Sequence, residues 1–420
     1  MKILIIGSGG REHAISMALS KNSNNNKIYA IPGNPGMLEY CECINIDQLQ
    51  FNEIISFIKK NSIDLVIIGP EVPICEGLTD IIEDIGVKVF APNMLASKLE
   101  SSKRFTKELS LDNNIPTSDA KWFIDFFSAE RYLKSLKPPY VIKADGLAAG
   151  KGVSISENYD DAIIALEDIF NGRFGENQSV LIEEFLVGEE ISYFAVTDGV
   201  NICPLIGAQD HKRLLDGDLG PNTGGMGAYC PPPLLSKNLE NKIISHILEP
   251  TLYGLKNRGI NYKGVLFAGL MVKDNEPKLI EYNIRFGDPE TQALLMLLKS
   301  DFTELVMSVV NEDLKSYKLE WYDQKALTVV LANDGYPNQY NQNEEITGID
   351  EAEMNPKIKV FHAGTKIRDE KLIASGGRVL NVTSIDESIE NARENAYQAI
   401  KKINYRGKIY REDIAWRALV

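Results

Sequence analysis

The first hundred residues alternate short apolar runs with segments of helical period. Four apolar runs have the length and composition of buried strands, at residues 2–6, 27–30, 64–68 and 87–90. Three segments between them repeat apolar positions every three to four residues, at 11–22, 51–61 and 74–85. Strands separated by helices predict a parallel sheet with right-handed crossovers. We therefore predict a Rossmann-like α/β domain over residues 1–101.

The rest of the chain divides into two regions. Residues 102–318 contain most of the glycine-rich and charged motifs, whereas residues 319–420 return to regular patterns. The last region shows strand patterns at 326–331, 360–361 and 378–383 and a helical pattern at 386–403. One face of that helix is apolar and the other is charged, so we expect the helix to cover a sheet in an α+β domain.

The first strand ends in a glycine-rich turn, Gly7-Ser-Gly9, which opens the first helix. A dinucleotide-binding fingerprint would continue with a third glycine, but Glu12 occupies that position and no acidic residue closes the second strand. These departures argue against NAD. A tight turn without a ligand and a turn whose backbone amides hold a phosphate both fit the sequence.

A second glycine-rich stretch, VIKADGLAAGKGV, spans residues 141–153. It differs from the P-loop pattern GxxxxGK[ST], because only three residues separate Gly146 from Gly150 and Lys151 is followed by Gly152. The flanking residues alternate as in strands, which predicts a β-hairpin with a mobile tip. Small residues throughout the tip suit close approach of the backbone to a ligand, and an ordinary solvated hairpin is the alternative.

A strand pattern at 278–286, KLIEYNIRF, carries the most specific local chemistry. Side chains alternate between the two faces of a strand, so Glu281, Asn283 and Arg285 share one face. The opposite face, which we predict to be the core face, carries Ile280, Tyr282, Ile284 and Phe286. The polar face is either solvent-exposed or an oxygen-donor site for Mg²⁺ beside an anion-binding arginine.

Three further segments combine charge with glycine. Two pairs of acids lie between apolar runs, at 183–184 and 189–190, and form either a solvated turn or a clamp for adenine and its ribose. The segment 216–228 has five glycines and a proline, as expected for a loop that encloses a ligand. Asp288, after the polar strand, is either a helix N-cap or a substrate ligand.

Composition narrows the classes of function. The formal net charge of −14 over 420 residues argues against general binding to nucleic acid or to a membrane surface, which requires a basic field. No stretch approaches the roughly 18 apolar residues of a membrane span. The five cysteines have no C-x-x-C spacing, which predicts free thiols in a reducing compartment. We therefore expect a cytoplasmic protein.

These motifs, in this order, resemble the ATP-grasp enzymes, and among them the glycinamide ribonucleotide synthetase family. The resemblance spans nearly the whole chain and rests on GSGGREHA (7–14), GPEVP (69–73), VIKADGLAAGKGV (141–153), EEFLVGEE (183–190), QDHKR (209–213), GPNTGGMGAY (220–229), EYNIRFGDPETQ (281–292) and HAGT (362–365). It implies a multidomain α/β and α+β fold. A central ATP-grasp domain over 102–318, with a mobile lid subdomain around 120–190, would stand between the Rossmann-like domain and the C-terminal α+β domain over 319–420.

The resemblance also implies a reaction. ATP, glycine and 5-phosphoribosylamine would give glycinamide ribonucleotide, ADP and phosphate through a glycyl phosphate intermediate, in de novo purine biosynthesis. Magnesium or manganese would be the metal, and we expect a monomer whose partners are small-molecule substrates.

Roles for particular residues follow from the same resemblance. Metal binding is implied for Glu281 and Asn283. ATP binding is implied for Lys103, Lys143, Gly150, Gly152, Glu183, Glu184, Phe185, Leu186 and Glu190. The implied catalytic residues are Lys212, Arg285 and Asp288. Binding of glycine or phosphoribosylamine is implied for Gly9, Gly10, Glu71, Asp210, Asn222, Thr223 and Gly287. Several ATP-grasp relatives carry another acidic metal ligand on the preceding strand, whereas residues 264–271 have none, which leaves the number of metal ions open.

Three alternatives remain at this point. Another purine-pathway carboxylase or transformylase of the ATP-grasp type would differ in the loop at 207–228, where GPNTGGMGAY favours glycine ligation. A dinucleotide-binding oxidoreductase is disfavoured by Glu12 and by the polar strand. A non-catalytic nucleotide sensor is disfavoured because both Glu281 and Asn283 are present.

Overall fold

The computed structural model describes residues 1–21, 26–146, 152–175 and 179–419. Its N-terminal part is a five-stranded parallel sheet, as the alternation of strand and helix patterns predicted. The strands are β1 (Lys2–Gly7), β2 (Lys27–Pro32), β3 (Glu42–Cys43), β4 (Leu65–Ile68) and β5 (Lys88–Phe90). The helices are α1 (Gly10–Lys21), α2 (Phe51–Asn61), α3 (Glu71–Cys75), α4 (Leu78–Asp84) and α5 (Lys98–Ser101). The strand order is β3-β2-β1-β4-β5.

The middle of the chain adds antiparallel strands and further helices. The strands are β6 (Ala120–Phe123), β7 (Tyr140–Ala144), β8 (Val153–Ser156), β9 (Val180–Glu183), β10 (Glu189–Thr197), β11 (Ile202–Pro204), β12 (Gln209–Asp210), β13 (Arg213–Leu215), β14 (Leu219–Asn222), β15 (Gly227–Cys230), β16 (Gly264–Lys273) and β17 (Glu276–Asn283). The helices are α6 (Lys103–Asp112), α7 (Phe126–Leu133), α8 (Tyr159–Phe170), α9 (Lys237–Ile243), α10 (Glu249–Asn257), α11 (Glu290–Leu297) and α12 (Phe302–Val310).

Two sheets from this region form opposite walls of a cleft. The lid sheet, with strand order β6-β9-β7-β8, carries α7 and α8, and the central sheet has the order β11-β10-β16-β17. The predicted hairpin is confirmed in its two strands, β7 and β8, which pair antiparallel with Lys143 opposite Val153. Its tip, including Gly150 and Lys151, lies outside the described residues.

The polar strand predicted at 278–286 corresponds to β17 and the three residues that follow it. One of its side chains faces the opposite way from the prediction. A bulge between Gly269 and Leu270 of β16 pairs these residues with Glu281 and Leu279, which leaves Ile280 without a partner. Leu279 is therefore buried, whereas Ile280 is half-buried and borders the cleft. The prediction of Ile280 on the core face was wrong, because a bulge shifts the alternation by one residue. Tyr282, Ile284 and Phe286 are buried as predicted.

The C-terminal part is a second α+β unit. Its strands are β18 (Lys325–Asn333), β19 (Glu344–Glu345), β20 (Ile358–His362), β21 (Thr365–Arg368), β22 (Lys371–Ala374), β23 (Arg378–Asp386) and β24 (Lys408–Ile409), and its helices are α13 (Ile349–Glu353) and α14 (Ile389–Ile400). The main sheet has the order β12-β15-β18-β23-β20, with β24 beside β18. Two of these strands, β12 and β15, come from the region before residue 318, so the sheet crosses that predicted boundary.

Two predicted helices differ from those in the structure. The pattern at 74–85 belongs to α3 and α4, because Gly77 adopts a left-handed φ of +87° between them. The helix predicted at 386–403 is shorter, because β23 continues through Asp386 and Ser388 then caps α14 at the amide of Asn391. As predicted, α14 covers the sheet, and its Ala392, Ala396 and Ile400 are buried.

Helix α1 joins the N-terminal sheet to the rest of the protein. Residues 10–19 of α1 are all buried, and so is the whole of α11, against which α1 packs. This contact places the turn before α1 next to the start of α11. Within the described residues, no helix is both long enough and apolar enough to cross a membrane.

Candidate active site

A cavity of about 520 Å³ lies where the N-terminal, lid, central and C-terminal sheets approach one another. Most of the residues proposed from the sequence border it. They are Glu71, Lys103, Lys143, Gly152, Glu183, Glu184, Phe185, Leu186, Glu190, Asp210, Lys212, Asn222, Thr223, Glu281, Asn283, Arg285 and Asp288. Residues from six separate sequence motifs thus border one cavity, and their individual roles stay predictions.

Three glycines that were predicted to bind substrate are not among the residues that border the cavity. The amide of Gly9 donates to Glu12 Oε2 at 2.6 Å, so a buried carboxylate of the protein itself occupies that turn. A side chain at Gly10 would collide with Asn381 and Gln292, and one at Gly287 would collide with the carboxylate of Glu290. These glycines allow α1 and α11 to pack closely around buried polar groups.

At the lid end of the cavity, one carboxylate holds two lysines. Glu183 on β9 lies 2.6 Å from Lys143 Nζ and 2.9 Å from Lys107 Nζ, and all three residues are buried. Burial alone would raise the pKa of Glu183, but the two ammonium groups hold it below its ordinary value. Two cations against one anion leave this end of the cavity net positive.

The hairpin is fastened to the start of α6. The backbone amide of Lys103 donates to Asp145 Oδ1 at 2.8 Å, and its Nζ donates to the carbonyl of Gly146 at 3.2 Å. Burial lowers the pKa of Lys103. Lys103 and Lys143 therefore both stand at the base of the hairpin, where they can meet a phosphate group.

Glu281 and Asn283 border the centre of the cavity from β17. Neither side chain forms a hydrogen bond or an ion pair with another described residue, so their oxygen atoms are available to a ligand. Among the described residues, no group of three His, Cys, Asp or Glu side chains could hold a metal ion. The carboxylate and amide oxygens fit a hard divalent cation that completes its shell with phosphate oxygens and water.

Two further cationic residues that border the cavity, Lys212 and Arg285, are paired with acidic residues. Lys212 Nζ lies 3.1 Å from Asp210 Oδ1 and also contacts the carboxylate of Glu190. Burial would lower the pKa of Lys212, but these two acids raise it well above its ordinary value. Arg285 pairs with Glu71 at 3.2 Å and with Glu100 at 3.3 Å.

Asp288 and Glu290 stand where α11 begins. The carboxylate of Asp288 accepts from Gln292 Nε2 at 3.0 Å and from the amide of Arg11 at 3.4 Å, and not from the first amides of α11. Its interpretation as an N-cap was therefore wrong. Glu290 is buried and accepts from the hydroxyl of Ser192 at 3.0 Å. Burial, with the charge of Asp210 nearby, raises the pKa of Glu290 to about 7.

Comparison with known proteins identifies the family. Residues 1–100, 101–291 and 326–417 match the models of the N domain, the ATP-grasp (A) domain and the C domain of phosphoribosylglycinamide synthetase. This chain belongs to the phosphoribosylglycinamide synthetase family. A phosphoribosylamine–glycine ligase of Rhizobium meliloti is 43% identical over 420 residues, which cover 100% of this chain and 99% of that protein.

Solved structures agree with the family. The phosphoribosylamine–glycine ligase of Thermotoga maritima superposes with a TM-score of 0.88 at 34% identity, covering 99% of this chain and 100% of that one. A biotin carboxylase domain of Hydrogenobacter thermophilus, solved with MgADP, superposes with a TM-score of 0.73 at 16% identity. It covers 97% of this chain and 91% of that one, and shows a shared fold. The resemblance drawn from the motifs, the ATP-grasp fold and the prediction of an ATP-dependent ligase of purine biosynthesis are confirmed.

The site of this family member also contains residues that the motifs did not single out. They are Arg11, Glu100, Lys107, Glu290 and Arg378. Lys107 follows Lys103 by one helical turn on α6, so its i, i+4 spacing was a usable signal. Arg11 and Glu290 lay within quoted motifs. Arg378 had no local signal, because only the tertiary fold brings β23 to the cavity.

Proposed function

We propose that this protein ligates glycine to 5-phosphoribosylamine at the expense of ATP, giving glycinamide ribonucleotide, ADP and phosphate. The observation that carries the proposal is the single cavity on which lid lysines, an oxygen-donor pair and the loop at 209–224 converge. ATP, an acid to be activated and an amine require adjacent sites, because the intermediate must not meet water first.

In the first step, a carboxylate oxygen of glycine attacks the γ-phosphorus of ATP. The new O–P bond gives glycyl phosphate, and the bridging oxygen departs with ADP. Lys143 and Lys103 would contact the phosphates, and Arg285 would face the glycine carboxylate. Glu281 and Asn283 would hold Mg²⁺ or Mn²⁺. The metal, when bound, neutralises phosphate charge.

In the second step, the amine of phosphoribosylamine attacks the carbonyl carbon of glycyl phosphate. A C–N bond forms, the C–O bond to phosphate breaks, and the nitrogen loses a proton that the departing phosphate takes up. Lys212 would stabilise the negative charge that develops on oxygen, since Asp210 and Glu190 keep it protonated. Nothing in this sequence of steps requires a covalent enzyme nucleophile.

The adenosine of ATP would lie along the segment after β9. Glu184, Phe185 and Leu186 border the cavity, and we assign the adenine edge to their backbone groups. Glu190 is assigned to the ribose. Its contact with Lys212 then links the nucleotide to the residue that serves the second step.

An assay of ADP release tests the proposal. The purified protein receives ATP, Mg²⁺, glycine and freshly generated phosphoribosylamine, and each substrate is then omitted in turn. We expect ADP release only when both glycine and phosphoribosylamine are present, together with one glycinamide ribonucleotide per ADP. ADP release that continues without glycine, or that requires bicarbonate or formate instead, would favour a carboxylase or transformylase.

A further inference from the structure

Arg378 is the first residue of β23 and reaches the cavity from the C-terminal sheet. Its Nη1 donates to two carbonyl oxygens, those of Gly224 and Asp288, each at 2.7 Å. Its Nε and Nη2 donate to no other residue in the described ranges. The side chain of Arg378 is 22% exposed and borders the cavity. One edge of the guanidinium is thus fixed and the other is open.

The surrounding loop holds the guanidinium in place. A Cβ at Gly224 would lie 3.1 Å from the central carbon of the guanidinium, so a larger residue there would press on the Arg378 side chain. Gly225 follows with a φ of +111°, which also favours glycine. The amide of Gly224 donates to the hydroxyl of Tyr336 at 3.0 Å, which ties the loop to the C-terminal part.

Arg378 differs from most of the other cations that border the cavity, because its short contacts are not with carboxylates. Most of the others contact carboxylates closely: Lys107 and Lys143 contact Glu183, Lys212 contacts Asp210 and Glu190, Arg285 contacts Glu71 and Glu100, and Arg11 contacts Glu12. Lys103 is the exception among them, since its Nζ donates to the carbonyl of Gly146, but it lies at the lid end, at the base of the hairpin. Among the residues that the structure describes, the closest carboxylate oxygen to Arg378 is Asp288 Oδ1, at 3.5 Å from Nη1. Carbonyl groups, which carry no net charge, make its short contacts.

The three substrates bring three anionic groups to this cavity. The phosphates of ATP match the lid lysines, and the carboxylate of glycine must lie next to the γ-phosphate that it attacks. The 5-phosphate of phosphoribosylamine takes no part in the chemistry and needs a fixed partner elsewhere. Arg378 makes its contacts with residues 224 and 288, and not with the lid or with β17.

We propose that Arg378 binds the 5-phosphate of phosphoribosylamine through its open edge, Nε and Nη2. Two parallel N–H groups in a rigid plane match two oxygens of a phosphate dianion, which a single ammonium group cannot do. The C-terminal part would thereby select the phosphorylated amine over its unphosphorylated counterpart. This inference rests on the proposed function.

The test uses the full-length protein with Arg378→Gln and Arg378→Lys. For Arg378→Gln we expect the KM for phosphoribosylamine to rise by about 10- to 100-fold, the range of a lost hydrogen bond to a charged group. The KM values for ATP and glycine should stay within about twofold, and Arg378→Lys should recover part of the loss. Arg368→Gln, an exposed arginine of the same region, is the control and should match the unsubstituted protein.

A second measurement separates phosphate recognition from a purely structural role. Ribosylamine without the phosphate is compared with phosphoribosylamine, and the ratio of their kcat/KM values is taken for each variant. We expect this ratio to fall toward one in Arg378→Gln, because the substitution removes a contact with the phosphate and leaves the reaction of ribosylamine unchanged. An equal loss for both amines, an unchanged ratio, or a rise in the KM for glycine alone would overturn the inference. Failure of the unsubstituted protein to require both substrates would instead overturn the proposed function.

Discussion

The two ends of the cavity carry positive charge in different ways. At the lid end, Lys107 and Lys143 converge on Glu183, so two ammonium groups share one buried carboxylate. At the opposite end, carbonyl groups fix one guanidinium, that of Arg378. Point charges on flexible stems suit a phosphoryl group that changes position during transfer, whereas a rigid fork suits a phosphate that must stay in place. This difference suits the lid end to the phosphoryl group that reacts and the Arg378 end to a phosphate that only anchors its substrate.

The largest effect is expected between the two ends, at the oxygen-donor pair. In the double variant Glu281→Ala and Asn283→Ala, kcat should fall by at least about 100-fold, because the charge on the transferring phosphoryl group loses several kcal/mol of stabilisation. The measurement is ADP release as a function of Mg²⁺ concentration. Glu276→Ala, an exposed position on the same strand, is the matched control. Normal magnesium-dependent turnover in the double variant would refute the metal site.

A smaller loss is expected at the lid end. Lys143→Met keeps the apolar stem but removes the charge, and should lower kcat/KM for ATP by roughly 10- to 150-fold, the worth of ~1.5–3 kcal/mol for a hydrogen bond to a charged group. The KM for phosphoribosylamine should not change, which is the reverse of the pattern expected for Arg378→Gln. Lys121→Met, on an exposed position of the lid sheet, serves as the control. If both substitutions raised the same KM, the two ends would not be functionally distinct.

The smallest effect concerns the unfolding free energy and comes from Glu290, near the Arg378 end of the cavity. Because burial raises the pKa of Glu290 to about 7, the folded state prefers its protonated form. The stability that the protonated Glu290 gives the folded state is therefore fully present below the ordinary glutamate pKa. It is lost as the pH rises through about 7. Between pH 5 and pH 8, the unfolding free energy of the unsubstituted protein should fall by about 1–3 kcal/mol relative to Glu290→Gln.

Urea unfolding at both pH values measures this difference. Glu304→Gln, an exposed glutamate of α12, should follow the unsubstituted protein at both. Parallel pH profiles for Glu290→Gln and the unsubstituted protein would show that Glu290 is ionised throughout this range.

Local periodicity predicted the parts of this protein whose partners are near in sequence. The parallel sheet, the β7–β8 hairpin and the polar face of β17 all follow from alternation and glycine placement. The phase of Ile280 could not be predicted, because the bulge that sets it lies in the pairing with β16. The roles of Arg378 and of the close pair Lys107–Glu183 likewise depend on elements far apart in the chain. Motif resemblance supplied what periodicity lacked, since it assigned most cavity residues before any contact was known.

The sheet that joins β12 and β15 to β18 has a consequence for how this protein can be divided. Gly227–Cys230 pairs along its length with residues 326–329, so the loop bearing Asp210 and Lys212 is braced by a strand from beyond residue 318. A fragment ending at that point would keep the nucleotide residues but would leave an unpaired strand edge beside the catalytic loop. The parts of this enzyme before and after residue 318 are therefore joined by strand pairing and not only by the chain. A chimera made within the family must exchange β15 and β18 together to keep that pairing.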